Sequence, residues 1–171
     1  MIELRPYRGD DAERLVALAD NARVSRYLTD LFPHPYTRED AEWWIAHGAR
    51  EVHSDAWAIE HRGELVGGIG VTVQSGWRRH LAEIGYWLGE PYWGRGLAAE
   101  AVRRVTAAIF GNPDIRKIYA PVLGANRASM RVLEKNGYQR EGVLREEVFK
   151  RGQYHDLHIF ATLRTEPPEG E

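Results

Sequence analysis

The most constraining feature of this sequence is a glycine-containing segment between a predicted strand and a predicted helix. The strand spans Leu81–Leu88 and the helix spans Leu97–Phe110, each with the apolar spacing typical of its class. Between them, positions 93–98 read Trp-Gly-Arg-Gly-Leu-Ala. A glycine-rich turn leaves backbone N–H groups free at the positive end of the helix dipole and lets an anion approach closely. The segment therefore predicts a phosphate-binding loop.

Several interpretations of this loop compete. Gly94, Gly96 and Ala99 satisfy the loose spacing of a dinucleotide-binding fingerprint, but such a unit needs an acidic residue about 20 positions later. Tyr119 and Ala120 occupy that place. A P-loop needs Gly-Lys-Ser or Gly-Lys-Thr, and the sequence contains neither. A loop for the pyrophosphate of an acyl-CoA and a purely structural tight turn remain.

The rest of the chain predicts a single mixed sheet. Its predicted elements are a strand at 2–5, helices after Asp10 and Thr37, strands at 55–60, 64–73 and 81–88, a helix at 97–110, a strand at 115–122, a helix at 126–136, and strands at 138–144 and 154–163. Capping boxes are expected from Asp10 to Glu13 and from Thr37 to Asp40.

This order is typical of an α/β (α+β) fold in one domain, with a mixed, mostly antiparallel central sheet of six to seven strands and helices on both faces. The domain is predicted to span residues 1–164. Residues 165–171, which are acidic and contain two prolines, predict a disordered tail.

Composition excludes several classes of function. The 171 residues carry a net charge of -2, so no global field attracts nucleic acid or an anionic membrane. Cysteine is absent, which rules out disulfides and a thiol nucleophile. The seven histidines show no spacing typical of metal ligands, so no metal is expected. Without a signal peptide or a long apolar run, we expect a cytoplasmic protein.

Three segments together resemble the GNAT N-acetyltransferase family, in particular its RimJ/RimL branch. The loop at 93–98 is similar to the family's pyrophosphate signature, although Trp93 stands where a Gln or Arg is usual. The segment from Asn126 to Tyr138, continued by Glu141, Gly142 and Asp156, resembles the branch's Asn-x-x-Ser…Glu-Lys-x-Gly-Phe pattern. Residues 24–28 and 37–45 are similar to its amino-terminal portion, so the resemblance covers roughly the whole chain.

The resemblance implies the GNAT fold, acetyl-CoA as cosubstrate, and transfer of acetyl to a primary amine by direct attack through a tetrahedral intermediate. It also implies that backbone N–H groups near the end of the preceding strand hold the pantetheine arm and the thioester, where this strand splays from the next. The residues predicted to bind acetyl-CoA are Tyr86, Trp87, Leu88, Trp93, Gly94, Arg95, Gly96, Leu97, Ala98, Asn126, Ser129 and Arg131.

Two residues are candidates for catalysis. An amine must lose a proton before it attacks, and Glu83, on the strand that leads to the loop, could accept that proton directly or through water. Many family members place a tyrosine seven residues after the helix-capping asparagine to serve the departing thiolate. This chain has Leu133 there, and the resemblance to the RimJ/RimL branch implies that Ser129 substitutes as a hydrogen-bond donor to the sulfur.

The acceptor amine is not identified by sequence. The branch acetylates protein amino termini, which favours a protein N-terminal amine, while a polyamine, an aminoglycoside, an amino acid or a non-catalytic CoA-binding role remain alternatives. The acceptor is expected to enter past residues 27–36, beside Trp43 and Trp44, with His34 and His155 as further candidate site residues. An exposed edge of the sheet would allow a homodimer.

Overall fold

The computed structural model describes residues 1–50 and 53–165. Its strands are β1 (Glu3–Arg5), β2 (Ser54–His61), β3 (Glu64–Val73), β4 (Leu81–Leu88), β5 (Lys117–Leu123), β6 (Gln139–Lys150) and β7 (Gln153–Leu163). Its α-helices are α1 (Ala12–Ala19), α2 (Ala22–Ser25), α3 (Arg38–Ala46), α4 (Leu97–Phe110) and α5 (Arg127–Lys135). Of the predicted tail, only Thr165 lies within the described residues.

The seven strands form one sheet in the order β1-β2-β3-β4-β5-β7-β6. Every neighbouring pair is antiparallel except β4 and β5. The predicted mixed, mostly antiparallel sheet is therefore confirmed. The outer strands β1 and β6 leave edges available for pairing, and the homodimer stays a prediction.

Helices cover both faces of the sheet, as predicted. On one face, Leu97, Val102 and Val105 of α4 pack with Ile84 and other buried strand residues in the larger core. On the opposite face, α1 and α3 pack in a second core. We call these the α4 face and the α1 face. Among the described residues, no helix is long and apolar enough to cross a membrane.

Helix boundaries follow local sequence signals in most places. The predicted capping box at α3 is confirmed, because the Thr37 hydroxyl accepts from the Asp40 amide and the Asp40 carboxylate accepts from the Thr37 amide. Asn126 caps α5 by accepting from the Ser129 amide at 3.2 Å, and Gly137 follows that helix with φ 78°.

The capping box predicted from Asp10 to Glu13 is wrong. A 3-10 turn at Gly9–Asp11 precedes α1, and the Asp11 carboxylate accepts from the Arg8 amide at 2.7 Å. The same carboxylate accepts hydrogen bonds from both terminal nitrogens of the Arg5 guanidinium, at 2.7 and 2.8 Å. Because this buried ion pair depends on a residue of β1, the local spacing could not reveal it.

The two central strands separate part of the way along the sheet. β4 and β5 pair only from Leu81 with Lys117 to Glu83 with Tyr119. Beyond that point β4 continues along β3 to Leu88, and β5 continues along β7 to Leu123. A V-shaped gap therefore opens between β4 and β5.

Pro121 explains locally why the pairing stops. The Gly124 amide donates to the Asp156 carbonyl at 2.9 Å, on the β7 side. Successive backbone N–H groups of a strand point in opposite directions, so position 121 faces β4. Proline has no N–H to continue a ladder. The sequence itself thus ends the pairing where the gap begins.

Candidate active site

The loop after β4 presents backbone N–H groups without nearby side chains. Gly94 and Gly96 adopt φ values of 73° and 77°, and a Cβ added to either would meet no atom within 4 Å. The first helical bond of α4 runs from the Glu100 amide to the Gly96 carbonyl at 3.1 Å. The amides of the first helical turn, from Leu97 onward, therefore lack helical partners. This geometry fits an anion at the helix N terminus.

Side chains around this loop fix its position. The Trp93 indole N–H donates to the Leu88 carbonyl at 2.8 Å, which ties the loop to the end of β4. The Trp93 amide donates to Glu90 at 3.2 Å, so neither N–H of this residue is free for a phosphate. The exposed Arg95 guanidinium lies 5.4 Å from the centre of the Tyr92 ring. Trp93 consequently orients the loop, and the backbone after it provides the donors.

The register of β4 determines which of its amides face the gap. The Gly89 amide donates to Val66 and the Gln74 amide donates to Leu81, both at 2.9 Å and both between β3 and β4. By alternation along the strand, the Trp87 amide also faces β3, whereas the amides of Tyr86 and Leu88 face the gap. The β3 ladder therefore uses the Trp87 amide, which leaves the amides of Tyr86 and Leu88 facing the gap. That Trp87 itself contacts acetyl-CoA stays a prediction.

On the α4 face, the hydroxyls of Tyr86 and Ser129 form a pair. The Tyr86 hydroxyl lies 2.8 Å from Ser129 Oγ and 3.2 Å from the Ser129 carbonyl oxygen. Burial raises the pKa of Tyr86, so its hydroxyl remains a proton donor at neutral pH. Leu133 is fully buried in the core, which leaves these two hydroxyls as the polar groups contributed from β4 and α5 at this point.

On the α1 face, Glu83 is paired with a tyrosine. The Tyr119 hydroxyl donates to Glu83 Oε2 at 2.8 Å. Burial, followed by the bond to the Glu83 carboxylate, raises the pKa of Tyr119 to about 12. The Arg78 guanidinium lies 5.4 Å from the centre of the Tyr119 ring. Glu83 and Ser129 therefore stand on opposite faces of the sheet, one on each side of the gap.

Aromatic side chains on the α1 face pack in separate pairs. Trp87 packs edge-on against Phe32 of the loop after α2, with ring centres 5.3 Å apart. Trp44 instead packs on Tyr7 inside the α1-face core, and Trp43 is 55% exposed and stacks on His47. The loop at 27–36 thus contributes Phe32 beside Trp87, and the placement of Trp43 and Trp44 beside the acceptor stays a prediction.

The tip of the β6–β7 hairpin contacts the segment around α2. Lys150 donates to Asp30 at 3.1 Å, and Arg151 donates to the Ala22 carbonyl at 3.1 Å and the Ser25 hydroxyl at 3.0 Å. These contacts join residues more than 100 positions apart, and for that reason sequence spacing gave no signal of them.

The two histidines singled out from the sequence each have a local partner. His34 Nδ1 is 3.5 Å from an Asp20 oxygen, and His155 Nε2 is 3.3 Å from the Lys150 carbonyl. Arg131 is exposed on α5. Within residues 1–50 and 53–165, no group of three or more His, Cys, Asp or Glu residues could hold a metal ion.

Comparison with known proteins gives one consistent family. A family model described as an acetyltransferase (GNAT) domain matches residues 2–139. The uncharacterized N-acetyltransferase YoaA of Bacillus subtilis (strain 168) is 32% identical over 166 residues, covering 94% of this chain and 92% of YoaA. The ribosomal-protein-serine acetyltransferase of Escherichia coli (strain K12) is 29% identical over 82 residues, 48% of this chain and 46% of that protein.

A solved structure shares the whole fold. RimL, a ribosomal L7/L12 alpha-N-protein acetyltransferase in complex with coenzyme A, matches with a TM-score of 0.84 at 21% identity. The match covers 95% of this chain and 93% of that chain. The similarity to YoaA thus extends over nearly all of the sequence, and the similarity to RimL is one of architecture.

Proposed function

The chain belongs to the acetyltransferase (GNAT) domain family and is an N-acetyltransferase that uses acetyl-CoA, and we propose that its acceptor is the N-terminal amine of a protein. The observation that carries the acceptor proposal is the openness of the α1 face at Glu83. Gly85 and Thr72, at the centre of that face, are exposed. Sites for small molecules usually bury most of the ligand, whereas an open face suits the end of a polypeptide.

Relatives support the same choice of acceptor. The E. coli relative is named for acetylating ribosomal-protein serine, and RimL is described as an alpha-N-protein acetyltransferase. Both descriptions belong to those proteins. They motivate a protein N terminus as the first acceptor class to test.

The loop and the gap fit acetyl-CoA, which supplies the acetyl group as a thioester. Amides at the start of α4 would bind the pyrophosphate, and a side chain at Gly94 or Gly96 would occupy the space it needs. The amides of Tyr86 and Leu88 would donate to the thioester carbonyl, whose oxygen becomes more negative during attack. Asn126, Arg95 and Arg131 would add contacts to the rest of CoA.

Glu83 would accept the proton of the attacking amine, directly or through one water. The hydrogen bond that Tyr119 donates to Glu83 Oε2 restricts the orientation of this carboxylate. A carboxylate in this state retains lone pairs for a second hydrogen bond. The pair therefore provides a candidate base on the open α1 face, held by one hydrogen bond.

Ser129 would donate a hydrogen bond to the sulfur as CoA leaves. When the Tyr86 hydroxyl donates to Ser129 Oγ, the Ser129 proton is free to point toward the gap. A hydroxyl that already accepts one hydrogen bond is a better donor, because such bonds polarise one another. Tyr86 would thus position Ser129, and Ser129 would serve the sulfur in place of the tyrosine that many family members have where this chain has Leu133.

A mass-spectrometric acetylation screen tests the proposal. It would include lysine-free peptides with Ala or Ser first, the same peptides with a blocked amine, polyamines, aminoglycosides and free amino acids. We expect a single added acetyl group on the free peptide amine and none on the blocked peptides. Faster acetylation of a small amine would overturn the protein acceptor, and CoA binding without turnover on any amine would favour a non-catalytic module.

A further inference from the structure

The α1 face of β4 contains a position without a side chain between two functional neighbours. Alternation places Glu83, Gly85 and Trp87 on this face. Trp87 packs there on Phe32, whereas Ile84 and Leu88 lie in the core under α4. Gly85 is exposed, and a Cβ added to it would meet no atom within 4 Å. An opening the size of one side chain therefore separates Glu83 from Trp87.

The opening continues across the two neighbouring strands. Gly85 pairs with Gly70 of β3, and Gly70 pairs with Ala56 of β2. No side chain larger than a methyl group projects from these three positions on the α1 face. Ala56 and Gly70 are only partly buried. The three residues form a shallow channel across the sheet, which we call the small-residue channel.

Glu83 and Thr72 border the small-residue channel on one side, and Trp87 borders it on the other. The row on one side contains Glu83 and Thr72, and Thr72 Oγ1 lies 2.8 Å from Ser54 Oγ. The row on the other side begins with Trp87, which is paired with Gly68. Residues two apart on a strand lie about 6.7 Å apart. An amine above Gly85 would consequently lie within reach of Glu83, directly or through one water.

Gly85 is also next to the amide that faces the gap. The Tyr86 N–H points between β4 and β5, toward the position proposed for the thioester carbonyl. A side chain at position 85 would project from the α1 face beside that point. An acceptor that approaches from the α1 face must therefore cross the space that the missing side chain leaves.

We propose that the missing side chain at Gly85 leaves the opening through which the acceptor amine reaches the thioester. This inference rests on the proposed function. Gly85 is then a specificity-determining residue, and it makes no contact required for CoA binding.

The experiment compares Gly85→Val, Gly85→Ala and the control Gly142→Val in the full chain. Gly142 is likewise a strand glycine with no atom within 4 Å of an added Cβ, and it lies on β6, away from β4. The readouts are CoA affinity by calorimetry, the melting temperature, and kcat/KM for a peptide with Ser first. We expect Gly85→Val to lower kcat/KM roughly 100-fold, as misplacement of a reacting group does.

CoA affinity and melting temperature should change little in Gly85→Val. The kcat/KM of Gly85→Ala should lie between those of Gly85→Val and the wild type. Gly142→Val should retain the wild-type kcat/KM. A Gly85→Val enzyme that acetylates the peptide at the wild-type rate would overturn the opening. A loss of CoA affinity in Gly85→Val as large as its loss of kcat/KM would also overturn the proposal, because Gly85 would then act in CoA binding. A wild-type enzyme that acetylates no peptide but acetylates a small amine would instead refute the proposed acceptor, and kcat/KM of Gly85→Val for that amine would still test the opening.

Discussion

The proposed donor side and the proposed acceptor side of the active site are built in different ways. The donor side consists mainly of backbone: positive φ values at two glycines, the first turn of α4, and the amides of β4 that face the gap. The acceptor side consists of side chains from distant segments, including Phe32, Glu83 and Tyr119, and of one missing side chain at Gly85. Donor binding should therefore be sensitive to backbone conformation, and acceptor selection to side-chain identity.

The largest expected effect is on the donor side. Gly96→Val should weaken CoA binding more than 100-fold, because a branched side chain would occupy the phosphate position and strain a φ of 77°. Strain alone costs about 1–3 kcal/mol of stability. Calorimetry with CoA measures the binding effect.

A matched glycine separates strain from ligand contact. Gly63, in the β2–β3 turn, has φ 80° and equally open surroundings. Gly63→Val should lose similar stability and retain CoA affinity. Equal affinity losses in the two variants would contradict a direct role for Gly96.

The next effect concerns the base on the acceptor side. Glu83→Gln should lower kcat about 100- to 10,000-fold and leave CoA affinity unchanged, because an amide cannot accept the amine proton. The pH dependence of kcat/KM should also change. An unchanged profile would mean that water or another group accepts the proton.

A smaller effect tests the hydroxyl pair at the donor sulfur. Ser129→Ala and Tyr86→Phe should each lower kcat about 10-fold, and the double variant should be little worse than either, since both act through one hydrogen bond to sulfur. Steady-state kinetics of the four enzymes measures this coupling. Purely additive effects would show that Tyr86 does not act through Ser129.

Tyr138→Phe is the control for this pair. Tyr138 is also buried, its hydroxyl lies 2.8 Å from Thr106 Oγ1, and burial raises its pKa to about 12. Its removal should cost about 1 kcal/mol of stability and leave kcat unchanged. A comparable fall in kcat would attribute the Tyr86 effect to general destabilisation.

The smallest expected effect is at the hairpin tip. Arg151→Ala removes the bonds to Ala22 and Ser25, so it should raise the acceptor KM about threefold while CoA affinity stays the same, because the hairpin then loses its connection to α2. Arg38→Ala, which removes an exposed pair with Glu42, should change neither quantity. An unchanged acceptor KM in Arg151→Ala would show that the hairpin tip does not contribute to acceptor binding.

Much of the fold was predictable because its signals are local. Alternation along β3 and β4, the helical spacing of α4 and the caps Thr37 and Asn126 each depend on residues a few positions apart. The failures arose where a distant partner intervened. Arg5 of β1 donates to Asp11, so the residues before α1 form this ion pair and not the predicted capping box. Trp44 packs on Tyr7, a contact that local spacing does not predict.

Sequence alone determined the loop of the proposed donor side, because glycine conformation and the start of a helix are properties of adjacent residues. It also identified Glu83 and Ser129 as candidates. Only the tertiary structure decided that these two lie on opposite faces of the gap, that Tyr86 pairs with Ser129, and that Gly85, Gly70 and Ala56 align across three strands. Such alignments depend on strand register, which is set by packing between residues far apart in the chain.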